Sequence, residues 1–201
     1  MDNTMKNFTI AGADEAGRGP LAGPVVASAV ILTNEQRAFL VAKGLTDSKK
    51  LSPGKREMLF ALMMEMGVVW AAQAASARLI DKINILQASL WCMGKATLKL
   101  SKKPNLLLLD GNKTIAWNFP IKQHCIVKGD QRVPAIAAAS VIAKVLRDKI
   151  MSIYDTIYPV YQFEKHKGYP TKLHYELIRQ FGASPIHRLS YKGVCQDGRT
   201  I

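Results

Sequence analysis

An apolar run that ends in two adjacent carboxylates constrains this chain more than any other feature. Residues 8–13 read as a buried strand, Asp14 and Glu15 follow, and the loop Gly17-Arg18-Gly19 comes directly after. Strand ends that open into loops are where folded domains place their chemistry. Neighbouring carboxylates repel, so burying both is costly unless something positive lies between them. A divalent cation is the simplest such partner. A turn with solvated acids is the alternative.

The other elements follow from periodicity and punctuation. Residues 25–32 read as a second strand, reached through a short loop containing Pro20. Ser52 and Pro53 have N-cap and first-turn character and open a helix to about Met66. Residues 68–75 read as a third strand. No long helix separates the first two strands, so they should pair antiparallel. From Arg78 to about Leu100 the pattern is one long amphipathic helix, with Leu79, Ile83, Leu86, Leu90, Met93 and Thr97 facing inward. Residues 106–109 are wholly apolar and end in Asp110, as expected of a central strand covered on both faces. Residues 122–127 read as a further strand.

From Pro134 to about Ile153 a helix is expected. Its small residues Ala137, Ala138, Ala139 and Ser140 would let it lie close to the sheet, with Lys144, Arg147, Asp148 and Lys149 outside. Another helix spans 171–181, with Gly182 at its C′ position. The class is α/β: a mixed central sheet flanked by helices, with a helical C-terminal portion. A chain of 201 residues fits one domain.

Charge points to the partner. Lys and Arg number 28 against 15 Asp and Glu, a formal net of +13, which favours a polyanion. Nucleic acid ranks ahead of a membrane, because no basic amphipathic anchor is evident. The three cysteines, Cys92, Cys125 and Cys195, show no CxxC spacing, and Cys92 sits in a helical apolar pattern as a small core residue. Residues 1–7 are polar, without the apolar stretch of a signal peptide, and no apolar run could span a bilayer. A reduced, cytoplasmic location is the expectation.

Two more acids stand where apolar runs meet glycine: Asp110 before Gly111, and Asp130 after Gly129. Each alone reads as a turn residue. With Asp14 and Glu15 they make four carboxylates delivered by three strand ends, which suits Mg²⁺ completed by substrate phosphate. Phosphodiester hydrolysis uses two such ions. Asp148 could rival Asp130, but Lys144 at i−4 offers it an ordinary helix-surface ion pair. The glycine spacing GxGxxxG between antiparallel strands argues against a dinucleotide fingerprint. His166 and His174 read as surface histidines and not as a zinc site. Tyr158, Tyr161 and Phe163 read as core packing. Tyr169 differs, being set in a loop between Lys167-Gly168 and Pro170.

The whole pattern resembles the type 2 ribonucleases H, or ribonuclease HII. The blocks that carry the resemblance are GADEAGRGPLAGPVV from Gly12, DSKKLS from Asp47, INILQA from Ile83 and LDGN from Leu109. VKGD from Val127, AAASVIAK from Ala137 and HKGYPT from His166 complete it in the family's order. The resemblance implies a ribonuclease H-like fold and metal-dependent cleavage of RNA strands paired to DNA. It also implies incision on the 5′ side of single ribonucleotides in duplex DNA, leaving 5′-phosphate and 3′-hydroxyl ends. The family's metal-binding acids fall on Asp14, Glu15, Asp110 and Asp130, with Mg²⁺ or Mn²⁺ as the ions. Its glycine-arginine-glycine loop falls on Gly17, Arg18 and Gly19, its ribose-sensing tyrosine on Tyr169, and phosphate contact is expected of Lys49 and Lys50. After His187-Arg188 the family continues with a second arginine and a Ser-Phe pair, where this chain has Leu189, Ser190 and Tyr191.

Read from the residues, the two loop glycines let backbone amides and carbonyls come close to a sugar, and Arg18 can reach a phosphate. The expected protein is a monomeric endonuclease, with residues from about 156 to 201 forming a substrate-contacting extension. One rival is a non-catalytic duplex-binding module, which the charge alone would permit but which four acids in a basic groove would weaken. Another is a junction resolvase of the same fold, which would have no 2′-hydroxyl to sense.

Overall fold

Side chains alternate between the two faces of a strand, and along β1 (Ile10–Ala16) that alternation selects two different layers. Ala11 and Ala13 join the core under one helical layer, while Gly12 faces the other so closely that a Cβ there would stand 2.4 Å from the backbone of Ala135 and Ile136. The structure is a computed structural model that describes residues 8–194. The expectations for residues 1–7 and for Cys195 lie outside the described residues.

The elements in chain order are β1, β2 (Val25–Ile31), α1 (Asn34–Ala42), α2 (Pro53–Glu65), β3 (Val69–Ala75), α3 (Ala77–Ile83) and α4 (Ile85–Leu98). There follow β4 (Leu106–Asp110), β5 (Lys122–Ile126), α5 (Pro134–Ile157), α6 (Phe163–His166) and α7 (Lys172–Phe181). The sheet order is β3-β2-β1-β4-β5. The first three strands pair antiparallel, and β1–β4 and β4–β5 pair parallel. The mixed sheet expected from the sequence is therefore present. Helix α4 covers one face through Leu90, Cys92, Met93 and Ala96, with Cys92 wholly buried. Helix α5 covers the other through its small residues, and Ser28 Oγ donates to Ala139 O at 2.8 Å to tie the layers together.

Several local expectations change. Strand β1 runs to Ala16, because β2 keeps pairing as far as Ala16↔Val26, so Asp14 and Glu15 lie inside the strand. The strand buried along its full length is β2, whereas β4 alternates buried and half-buried residues near the sheet edge. The single helix expected from Arg78 to Leu100 is two helices, broken at Asn84, whose φ of 64° no α-helix continues. Asn84 then caps α4, its side chain accepting from Gln87 N at 3.1 Å. Helix α1 was not expected, although Thr33 and Gln36 form a reciprocal capping box at its start. Arg147, expected outside α5, is fully buried, lying one turn along from Ala143 and one turn before Met151, both also buried.

The C-terminal portion is helical, as expected. Tyr161, Phe163, Leu177 and Ile186 pack with Met151 and Ala22 into a small core of their own, and Tyr158 flanks it. Backbone hydrogen bonds stitch this portion to the loop after β1: Leu21 N to Gly168 O, Gly23 N to Ile186 O and Arg188 N to Leu21 O, each 2.8 Å.

Candidate active site

The parallel pairing of β1 and β4 brings their C-terminal ends side by side, and with them the carboxylates. Asp14 faces α5, where Ser140 favours its charged form. Asp110 closes β4, and its Oδ1 accepts from Gly129 N at 2.7 Å, which draws the next turn inward. That turn, Gly129–Gln131, follows Lys128 in left-handed conformation (φ 56°) and carries Asp130, which is 5% exposed. Glu15 takes the alternate face of β1 and accepts from Arg18 Nη1 at 3.3 Å. A cleft between Glu15 and Asp110 is walled by Arg18, Ser89, Met93 and Asn112.

Electrostatics sets these acids apart. Burial pushes Asp14 well above the usual carboxylate range, and repulsion from Glu15 and Asp110 adds to it. Glu15 is raised by burial and by Asp110, with Arg18 and Lys49 opposing. Asp130 is raised by burial, then by Asp47 and Asp110, with Lys49 opposing. The group therefore holds more negative charge than its surroundings compensate. Among the described residues no three His, Cys, Asp or Glu side chains close tightly enough to cage an ion alone. Mg²⁺ keeps waters and takes one or two carboxylates plus substrate phosphate, ligands that these buried, mutually repelling acids can supply.

Asp47 is an acid that reading the sequence did not single out. It is 5% exposed and caps the 3₁₀ turn Ser48–Lys50, accepting from Lys49 N at 2.9 Å. Ser48 Oγ lies 2.8 Å from Ser140 Oγ, which anchors the same turn to α5. Lys49 is thereby placed in the field of the acids: burial pulls its pKa down, but Asp14, Asp47, Asp130 and Asp110 outweigh it and hold the ammonium charged. Lys50 is exposed on the same turn.

A second set of expected residues meets beside the first. A Cβ on Gly19 would lie 3.9 Å from Tyr169 Cε1, so the glycine loop and the tyrosine ring are neighbours. Tyr169 is 40% exposed and stands against two cations, Lys144 Nζ at 5.8 Å and Arg147 at 5.7 Å from its ring centre. Lys144 also makes the expected pair with Asp148, at 2.6 Å. Several carbonyls of the loop are held from within. Arg188 donates to Gly17 O and Arg18 O, and Arg147 to Ala22 O and Pro24 O. Arg147 also donates to Lys167 O at 3.0 Å, and burial, then the neighbouring Arg188, lowers its pKa to about 10. The signal for Arg147 was its place in the four-residue row with Ala139, Ala143 and Met151, a single cation on an otherwise apolar helix face.

His166 and His174 are not surface residues: with His187 they form a buried cluster. The His166 and His174 rings stack at 4.2 Å, and His174 Nε2 lies 3.0 Å from His187 Nε2. The partners determine the tautomers. His166 Nδ1 accepts from Gly168 N, and Nε2 donates to Tyr161 O. His174 Nδ1 donates to Tyr169 O, so its Nε2 accepts. His187 Nδ1 accepts from Ser184 N, and its Nε2 therefore donates to His174. The set closes with all three rings neutral. Burial, reinforced by the neighbouring rings, lowers His174 to about 4 and His187 to about 3. Every ring nitrogen has a partner, either another ring of the cluster or the backbone of Tyr161, Gly168, Tyr169 or Ser184, so the cluster is scaffold and offers no free metal ligand.

The sequence model of a family described as Ribonuclease HII matches residues 11–194. A Ribonuclease HII of Endomicrobium trichonymphae is 49% identical over 187 residues, covering 93% of this chain and 87% of that protein. The crystal structure of the ribonuclease H2 from Pyrococcus horikoshii OT3 superposes with a TM-score of 0.76 at 26% identity, over 93% of this chain and 95% of that one. A Bst-RNase HIII in complex with Mn²⁺ gives a TM-score of 0.73 at 18% identity, over 93% of this chain and 68% of that one, a likeness of fold alone.

Proposed function

Given that the chain belongs to the ribonuclease HII family and is an endoribonuclease of ribonuclease H-like fold, we propose that it is metal-dependent and acts on two kinds of duplex. It hydrolyses the RNA strand of RNA–DNA hybrids and incises 5′ to single ribonucleotides embedded in duplex DNA. The observation that carries this is the meeting of two sites: a group of carboxylates of which Asp14, Glu15 and Asp130 are raised by burial and repulsion, and a glycine loop backed by Tyr169 immediately beside them.

Asp14, Glu15, Asp110 and Asp130 would hold Mg²⁺ or Mn²⁺; an Mn²⁺ complex of a protein of the same fold is in keeping with that choice. Bound there with substrate phosphate, two such ions supply charge neutralisation and activation of water for in-line displacement. The protein's own part is placement. Asp110 is oriented by Gly129 N and Asp14 by Glu15 N. Lys49, kept charged by the acids, takes a substrate phosphate, with Lys50 and Arg18 at the rim. Water joins phosphorus as the bond to the 3′-oxygen breaks, leaving a 5′-phosphate and a 3′-hydroxyl.

Ribose is selected by the loop Gly17-Arg18-Gly19 with the Tyr169 hydroxyl and ring. A 2′-hydroxyl both donates and accepts, so a sensor needs polar groups and close backbone. The portion after about residue 156 serves as the substrate-contacting extension, and the protein works as a monomer. No described helix is long and apolar enough to cross a membrane. The deciding assay uses a labelled DNA duplex carrying one ribonucleotide, incubated with Mg²⁺ or with EDTA. A single cut on the 5′ side of the ribonucleotide, lost in EDTA, is expected. Cutting that persists in EDTA, or none on that duplex with Mg²⁺, would sink this function.

A further inference from the structure

The loop facing Tyr169 is shaped from behind by the end of the described chain. Arg188 is fully buried, and its guanidinium donates to Gly17 O at 2.6 Å, Arg18 O at 2.9 Å and Gly23 O at 3.0 Å. Tyr191 donates its hydroxyl to Arg18 O at 2.6 Å and accepts from Arg188 Nη1 at 3.0 Å. Its ring stands 5.1 Å from the guanidinium. Asp81 of α3 holds the turn that presents Tyr191, accepting from Leu189 N and Ser190 N at 3.0 Å each and from Ser190 Oγ at 2.5 Å.

Peptide geometry turns these contacts into a statement about recognition. A trans peptide points its carbonyl and its N–H in opposite directions. With Gly17 O and Arg18 O drawn inward, the N–H groups of Arg18 and Gly19 point outward from the latch. Successive N–H groups on one side of a loop form a concavity for an acceptor or an anion. A carbonyl oxygen has two lone pairs, and Arg18 O already has two donors on it. The loop therefore presents donors to a sugar and withholds the Arg18 carbonyl.

We infer that Tyr191 is a specificity-determining positioning residue, which occupies Arg18 O and so sets the Arg18–Gly19 peptide to meet the 2′-oxygen as an acceptor. This rests on the ribose-reading function proposed above. Tyr191→Phe keeps the ring that stands against the Arg188 guanidinium and removes only the hydroxyl.

The test is the ratio of two affinities. In an Asp110→Asn background, binding is measured to a duplex with one ribonucleotide and to the all-DNA duplex of the same sequence. Tyr191→Phe should shrink the preference for the ribonucleotide about three- to tenfold, the range of one lost hydrogen bond. Affinity for the all-DNA duplex and the thermal midpoint should stay unchanged, since phosphate contacts and the ring packing remain. An unchanged preference overturns the positioning role, as does a parallel fall of both affinities with a lowered midpoint, which marks Tyr191 as merely structural. A background protein that shows no preference at all overturns the ribose-reading function together with it.

Discussion

Two regions of this molecule bury charge, and they do it in opposite ways. At the ends of β1 and β4 the carboxylates crowd one another, with Lys49 and Arg18 opposing them among the described residues, and burial and mutual repulsion raise Asp14, Glu15 and Asp130. Behind the glycine loop, Arg147 and Arg188 are as deeply buried, yet each guanidinium is spent on backbone carbonyls. The first region is short of a counter-charge, whereas in the second burial also lowers both arginines but their N–H groups are hydrogen-bonded to carbonyls of the fold. Buried charge left under-compensated marks where a ligand must come, whereas buried charge satisfied by the fold marks scaffold.

The sharpest way to break this contrast is to remove one acid. Asp110→Asn and Asp130→Asn should each take cleavage to background while duplex binding stays the same or tightens, because less negative charge cannot weaken attraction to phosphate. Gel-based cleavage and binding assays on the same preparation check both halves. Near wild-type cutting with Mg²⁺ by either variant would remove that acid from the site.

The scaffold should fail differently. Arg147→Met leaves the carbonyls of Ala22, Pro24 and Lys167 without their donor and should cost about 3 kcal/mol or more of stability. Urea unfolding would show it as a lower midpoint at constant slope. A midpoint within error of wild type would mean that those carbonyls have other partners.

The histidine cluster adds a pH dependence whose sign can be stated. The pKa values of His174 and His187 are lowered in the fold, so below about pH 6.5 the unfolded chain takes up protons that the folded one refuses. Their contribution is complete above that pH and is lost as pH falls toward about 4 and then 3. The loss is of order a few kcal/mol, opposed by the raised acids, whose folded forms hold protons more readily. Ring NMR spectra at pH 5.5 should show His174 and His187 both neutral. A charged ring among them at that pH would contradict the hydrogen-bond assignment.

The smallest effect belongs to the contact between the regions. Tyr169→Phe should slow incision at a single ribonucleotide a few-fold, within about 0.5–1.5 kcal/mol, and Tyr169→Ala should slow it more, since the ring against Gly19 is lost too. Both deficits should persist at saturating Mg²⁺, because the acids are untouched. Kinetics of Tyr169→Ala indistinguishable from wild type would leave Tyr169 as a packing residue.

What the sequence determined by itself is what local order carries. Apolar runs ending in acids located Asp14, Glu15 and Asp110, Ser52 with Pro53 located α2, and the small residues 137–140 located the helix that lies on Gly12. Each depends on neighbours a few positions apart, so periodicity and punctuation reveal it. Only the tertiary structure decided the partners. That Asp47 sits beside Asp130 depends on two turns far apart in the chain. That three histidines close into one neutral set depends on α6, α7 and the segment after them converging. Arg188 reaches Gly17 across 171 positions, and no local pattern records such a contact. Arginine beside histidine looks like solvated surface until the fold supplies carbonyls to receive it. Local residues therefore announced the acids, and long-range hydrogen bonds determined which backbone groups the loop beside them turns inward.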